Sequence, residues 1–144
     1  MKYTELQNAI ASGEVNTGDK VYICDYRFND IDNKAIRHVK PQEVVLCSNF
    51  DLPENKKVYY SNHHFKPLNK KGKMLSKIIV PYDNTGYRSY TGVSLNIFLT
   101  MEECIEFYTQ QCNEIIKMFE EAKISKVEYF DAQINEIKSE IESL

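Results

Sequence analysis

The segment best suited to binding chemistry is residues 82–92, which read YDNTGYRSYTG. Tyrosine offers rigid contact area at a low cost in conformational entropy, while arginine and asparagine form directional hydrogen bonds. Tyrosine and arginine planes also stack on nucleobases, and arginine binds phosphate with two parallel N–H groups. We therefore predict an exposed hairpin loop whose ligand-binding residues are Tyr82, Asn84, Tyr87, Arg88 and Tyr90. A different interpretation stays open, in which the tyrosines fold back onto the protein.

A stretch of positive charge lies directly before this loop. Residues 55–82 contain no acidic residue but seven lysines. Such a surface either keeps a protein in solution or binds phosphates or an acidic partner. We add to the candidate binding site the three lysines of the NKKGK turn, Lys70, Lys71 and Lys73.

The motifs that identify common enzyme classes are absent from the sequence. There is no phosphate-binding loop, dinucleotide fingerprint, zinc-protease helix, hydrolase elbow or calcium-binding loop. The adjacent His63 and His64 would point to opposite faces of a strand, which does not suit two ligands of one metal. We therefore expect a protein without catalytic residues, cofactor or metal.

Size and composition predict one domain without a membrane segment, in a reducing compartment. The chain has 144 residues, which suffices for one domain with its own core. No apolar run approaches the roughly 18 residues of a membrane helix, and the first residues lack the apolar core of a signal peptide. The four cysteines match no CxxC spacing, so we interpret them as reduced thiols of a cytoplasmic protein without a membrane partner.

The first hundred residues have the pattern of a small antiparallel sheet. A capping-box pattern at Thr4 predicts a short helix that ends near Gly13, with Leu6, Ala9 and Ile10 on its apolar face. Pro41 predicts a bend between two extended runs. Runs rich in β-branched and aromatic residues predict strands. These runs lie near residues 21–26, 34–40, 43–48, 57–61, 76–82 and 94–99.

Residues 18–23, GDKVYI, resemble the first strand of SH3-like barrels. The six short strand candidates and their frequent turns favour an antiparallel sheet that curls into a small barrel, and the resemblance implies that this barrel is SH3-like. We therefore predict the α+β class, with an antiparallel β domain over residues 1–100 followed by a helical region over residues 101–144.

The helical region begins with a capping box at Thr100 and contains two apolar series that are out of phase by one residue. Either a turn near residues 122–127 joins two helices, or one long helix continues through this point; we favour the break. The second series has a narrow apolar stripe that needs another helix, either the first helix or a second copy of the chain. We favour a homodimer. Its dimerisation residues are Val127, Phe130, Ile134, Ile137 and Ile141.

Charge divides the chain into the same two parts. Residues 1–100 carry 14 basic and 10 acidic residues, and residues 101–144 carry 4 and 11, so the net charges are +4 and −7. A composition rich in Lys, Asn and Ile resembles that of short accessory proteins of phages and mobile elements from AT-rich bacteria. This resemblance implies a non-enzymatic inhibitor of host defence, as in anti-CRISPR proteins, that binds a nuclease or sequesters a nucleotide signal. Its partner would be a host protein or an anionic nucleotide.

An alternative is a nucleic-acid-binding barrel module. In this hypothesis the lysines contact phosphates, while Tyr87, Arg88 and Tyr90 stack on bases. The acidic helical region argues against it, because a charge of −7 repels a polyanion unless that region points away.

Overall fold

The structure is a computed structural model that describes residues 1–29, 34–56, 62–83 and 93–144. In this part of the chain, two α-helices and six strands form, which confirms the α+β class. The helices are α1 (Tyr3–Ala11) and α2 (Met101–Glu142). The strands are β1 (Lys20–Asn29), β2 (Lys34–Ser48), β3 (His63–Pro67), β4 (Tyr82–Asp83), β5 (Val93–Ser94) and β6 (Asn96–Phe98). Two short 3-10 helices, Asn49–Asp51 and Glu54–Lys56, follow β2.

The described strands form an open sheet, so the predicted SH3-like barrel is not confirmed. Four strands pair antiparallel in the order β3-β2-β1-β6, and β4 and β5 form a separate two-stranded ladder. The four-stranded sheet does not close into a barrel, because its edge strands, β3 and β6, do not pair with each other. Of the remaining strand predictions, residues 57–61 lie outside the described residues, and residues 76–81 contribute only an isolated bridge between Ile79 and Phe65.

Strand β2 continues through Pro41, where the sequence predicts a bend between two extended runs. Ile23 pairs with Gln42 and Asp25 pairs with Val39, so Lys40 and Pro41 together oppose a single residue of β1. This is a β-bulge, which tolerates proline because the bulged position needs no ladder hydrogen bond from an N–H group. The two extended runs that the sequence predicts are therefore halves of one strand of 15 residues.

The main core lies between α1 and one face of the sheet. It contains Leu6 and Ala9 from α1, Ile23 from β1, Leu46 from β2 and Phe65 from β3. Leu6 and Ala9 are buried, as the predicted face of α1 requires. The predicted capping box at Thr4 is wrong, because the helix begins at Tyr3 and its N-cap residue, Lys2, forms no side-chain cap. The Tyr3 ring is buried in the core, and its hydroxyl contacts Nδ1 of His63 at 3.0 Å.

Helix α2 covers part of the other face. Side chains alternate along a strand, so Cys24 points away from the face that carries Ile23. Cys24 contacts Cys104 of α2, and Phe98 of β6 packs against Phe107 with their ring centroids 5.4 Å apart. The sheet is therefore held between two helices.

Helix α2 is continuous over 42 residues, so the favoured break near residues 122–127 is wrong. The Thr100 side chain caps its first turn by accepting a hydrogen bond from the Glu103 N–H group at 3.3 Å, as predicted. No glycine or proline interrupts the helix, and helical propensity therefore outweighs the local capping pattern at Ser125. At 1.5 Å per residue the helix is about 63 Å long. Every residue beyond Met118 is exposed.

Candidate functional sites

Most of the predicted binding loop lies outside the described residues. This holds for Asn84, Tyr87, Arg88 and Tyr90. Tyr82 lies in β4, where it pairs with Ser94. A ligand site on this loop therefore stays a prediction.

The three predicted lysines lie together on an ordered turn. The Asn69 side-chain oxygen accepts hydrogen bonds from the backbone N–H groups of Lys71 and Lys73, both at 2.9 Å. Gly72 adopts a φ of 79°, a left-handed conformation that glycine adopts without strain. Lys70, Lys71 and Lys73 are all exposed. The turn therefore displays three positive charges on a backbone fixed by one asparagine.

A groove bordered by two other lysines lies between β2 and residues 77–80. It has a volume of about 530 Å³ and is bordered by Lys40, Lys77 and His38. Its walls include the half-buried side chains of Val39 and Ile78. The volume falls within the range of small-molecule sites, and two exposed ammonium groups at an apolar groove suit an anionic ligand with an apolar part. Neither lysine forms an ion pair with a described residue.

The β-bulge shapes this groove. Lys40 and Pro41 are the two residues that oppose a single residue of β1, and bulges redirect the side chains that they carry. The neighbouring Gln42 donates from its side-chain nitrogen to the Lys40 carbonyl oxygen at 3.3 Å. The local backbone irregularity therefore places Lys40 at the groove.

An aromatic cluster fixes one end of the groove. The rings of His38, Tyr26 and Tyr108 form a triangle. The His38 centroid is 4.1 Å from that of Tyr26 and 6.0 Å from that of Tyr108, and the two tyrosine centroids are 6.0 Å apart. The His38 Nε2 atom is 2.7 Å from the Tyr108 hydroxyl. Burial, followed by the neighbouring Cys112, raises the pKa of Tyr108, so this phenol stays protonated and can donate to His38. The cluster joins β1 and β2 to α2.

A buried carboxylate also joins α2 to the sheet. Asp25 is fully buried, and its Oδ1 atom accepts hydrogen bonds from Asn96 at 3.3 Å and Gln111 at 3.2 Å. Arg27 forms an ion pair with the same oxygen at 3.3 Å. Lys2 donates to the Asn96 side-chain oxygen at 2.5 Å, and burial lowers its pKa. These groups pair mainly with one another, so we interpret them as a structural network.

Two of the cysteines, Cys24 and Cys104, also contribute to the packing of α2 on the sheet. Cys24 and Cys104 are both fully buried, and the Cys24 thiol donates to the Cys104 carbonyl oxygen at 3.6 Å. The contact with Cys104, together with burial, raises the pKa of Cys24, so it stays a protonated thiol. No group of three histidine, cysteine or acidic residues in the described part of the chain is placed to hold a metal.

The predicted dimerisation residues all lie on the projecting part of α2. Val127, Phe130, Ile134, Ile137 and Ile141 each have about half or more of their surface exposed. The structure thus places them on one accessible helix, where the prediction of a homodimer stays untested.

Comparisons of the chain with protein-family models, curated proteins and solved structures gave no match. Within the described ranges, no helix is long and apolar enough to span a membrane.

The groove was missed by sequence reasoning, because Lys40 and Lys77 are 37 positions apart and only the fold brings them together. The sequence held one sign of this site: Lys40 precedes a proline within a predicted strand region, which indicates a local irregularity at that lysine.

Proposed function

We propose that the protein is a non-enzymatic binding protein that holds a phosphate-bearing nucleotide in the groove between Lys40 and Lys77. The observation that carries this proposal is the pair of exposed lysines at an apolar groove of about 530 Å³. The ammonium groups would bind phosphate oxygens, and the apolar wall with Ile78 would contact the ribose or base. Binding without turnover is the simplest role for a groove whose polar groups are lysines, a histidine and a glutamine.

The wider role in this proposal is sequestration of a nucleotide signal of host defence by a phage- or mobile-element-encoded protein. Sequestration needs one tight site per chain and no catalytic group. A cytoplasmic location fits this role, because all four cysteines are free thiols.

The experiment is isothermal titration calorimetry with two probes, ATP and a cyclic dinucleotide. Each lysine–phosphate contact contributes about 1.5 kcal/mol, so the Lys40→Gln/Lys77→Gln variant is expected to weaken binding roughly a hundredfold. The matched control is Lys126→Gln/Lys138→Gln, which removes the same charge from exposed positions on the projecting helix. Chromatography of the probe after incubation is expected to recover it unchanged.

Three results would refute the proposal. If neither probe binds, or if both double variants bind equally, the groove is not the site. If the probe is converted to product, the protein is an enzyme.

A second candidate function is binding of a nucleic acid, which the exposed turn with Lys70, Lys71 and Lys73 favours. Fixed neighbouring charges match the repeated phosphates of a polyanion. In this case a labelled oligonucleotide, not the mononucleotide, would bind, and its affinity would fall steeply with salt. Replacing the three turn lysines with glutamine would reduce that salt dependence, whereas the groove variant would not.

A further inference from the structure

The exposed apolar surface of α2 extends along the whole helix, well beyond the predicted dimerisation residues. Three further large side chains, Ile105, Ile116 and Phe119, are between 44% and 52% exposed, although they lie on the half of α2 that contacts the sheet. We use the name helix stripe for these three together with the five predicted residues. The helix stripe consists of Ile105, Ile116, Phe119, Val127, Phe130, Ile134, Ile137 and Ile141.

The spacing of the helix stripe explains how it stays on one face. Ile105, Ile116 and Val127 are eleven residues apart, and the same interval separates Phe119, Phe130 and Ile141. Eleven residues make three turns of 3.67 residues, close to the 3.6 of a straight α-helix. The helix stripe is therefore one continuous face on a nearly straight helix.

We propose that the helix stripe binds the helix stripe of a second copy of this chain, and that the two α2 helices run antiparallel. This proposal is independent of the nucleotide site. At roughly 100 Å² for each half-exposed side chain, the stripe presents about 800 Å², which is what one partner contributes to a standard interface. An interface with its own second copy is the commonest way to bury such a face.

The charge of the two halves of α2 favours the antiparallel orientation. Residues 101–121 carry six acidic residues and one lysine, a net charge of −5. Residues 122–144 carry five acidic residues and three lysines, a net charge of −2. A parallel pair places the two −5 halves side by side, whereas an antiparallel pair places each −5 half against a −2 half. The antiparallel pair therefore has the lower repulsion.

The middle of the helix gives a second charge argument. Lys123 lies on the same face as the helix stripe, eleven residues before Ile134. When two 42-residue helices overlap completely and run antiparallel, residue 123 of one lies opposite residue 120 of the other. Lys123 then faces Glu120 of the second copy. In a parallel pair, Lys123 would face Lys123 and Glu120 would face Glu120.

Sedimentation equilibrium of the full chain tests the interface itself. A dimer is expected at micromolar concentration. Phe130→Asp and Ile116→Asp should each weaken it about a hundredfold, because each places two unpaired carboxylates in an apolar interface. The matched control is Ile124→Asp, because Ile124 is 59% exposed but lies about 120° around the helix from Phe130. Circular dichroism is the check on folding: because these positions are exposed, a dissociated variant should lose helical signal only from the projecting end of α2 and keep a cooperative thermal transition. A monomeric wild-type protein, or equal effects of all three changes, would overturn the proposal.

Distance measurement between nitroxide labels tests the orientation. The label is attached at Ser143→Cys, with the partly exposed Cys47 and Cys112 replaced by alanine. Antiparallel helices separate the two labels by about 60 Å, the length of α2. Parallel helices hold them within about 25 Å, because paired helix axes lie 8–10 Å apart. A short distance, or no defined distance, contradicts the antiparallel dimer.

Charge variants provide an independent readout of orientation. Glu120→Lys and Lys123→Glu each replace two opposite-charge contacts by two like-charge contacts in an antiparallel pair, so each should weaken the dimer about tenfold. An equimolar mixture of the two variants should recover wild-type affinity. Lys117→Glu, an exposed change of the same size away from the helix stripe, is the control. If neither variant weakens the dimer, the helices do not pair in this register.

Discussion

Replacing His64 with leucine should stabilise the protein, and more so in acid. His64 is only 1% exposed, and it pairs with Cys47 in the ladder between β3 and β2. Neither of its ring nitrogens has a hydrogen-bond partner among the described residues. A buried polar group without a partner costs about 1–3 kcal/mol. Leucine has a similar volume and no polar atom, so His64→Leu should gain about 1 kcal/mol at pH 7.

The pH dependence follows from the pKa of His64. Burial, followed by the positive charge of Lys66, lowers this pKa below its usual 6.5, while Asp51 opposes the change. The unfolded chain therefore binds a proton below pH 6.5 that the folded protein does not bind. Stability is lost as the pH falls from about 6.5 towards the folded pKa, with a slope of up to about 1.4 kcal/mol per pH unit for one proton. His64→Leu should remove this contribution.

Urea unfolding at pH 5, 6 and 7 measures both effects. Circular dichroism is the suitable probe, because the chain contains no tryptophan. The advantage of His64→Leu over the wild type should increase from pH 7 to pH 5. Some pH dependence should remain, because burial also lowers the pKa of His63.

The comparison variant at pH 7 is His63→Gln. The His63 ring contacts the Tyr3 hydroxyl, so this change removes a hydrogen bond and should cost about 1 kcal/mol at pH 7. The reasoning is refuted if His64→Leu loses more than about 2 kcal/mol at pH 7 and keeps the wild-type pH dependence. That result would mean that the His64 nitrogens are paired.

Two further changes test the attachment of α2. Thr100→Val removes the side-chain oxygen that accepts a hydrogen bond from the Glu103 N–H group, so the free energy of unfolding in urea should fall by about 1 kcal/mol. An unchanged free energy would mean that the cap contributes nothing. Gln111→Leu removes a donor to the buried carboxylate of Asp25 and should lower stability by about 2 kcal/mol, whereas the exposed neighbour change Gln110→Leu should have little effect. Equal losses for the two glutamines would contradict the role of the Asp25 network.

Local chemistry made several elements predictable. The Thr100 cap, the buried face of α1 and the β1 strand depend on residues close together in sequence, and the structure has all three. Pro41 indicated an irregularity in the strand, and the structure has a β-bulge there. The sequence alone could not predict a bulge, because a bulge is defined by the pairing of β2 with β1. Whether a sheet closes into a barrel depends likewise on strand order and tilt.

The prediction of a break in α2 was wrong for a different reason. A capping box at Ser125 satisfies the N–H groups of a helix start, but it does not end the helix before it. Glycine and proline are the residues that most often end a helix, and residues 101–142 contain neither. The groove could not be predicted, because Lys40 and Lys77 meet only through the bulge and the pairing of distant segments.

The exposure of α2 beyond Met118 has a consequence for folding. An α-helix without tertiary packing is marginal in water, and here the last 24 residues of α2 depend on their attachment to an anchored first half. Fraying should therefore begin at the carboxyl end, where backbone amides exchange fastest with deuterium. If that segment is protected only by association, its exchange rate should fall as the protein is concentrated, while the exchange rates in the sheet should not change.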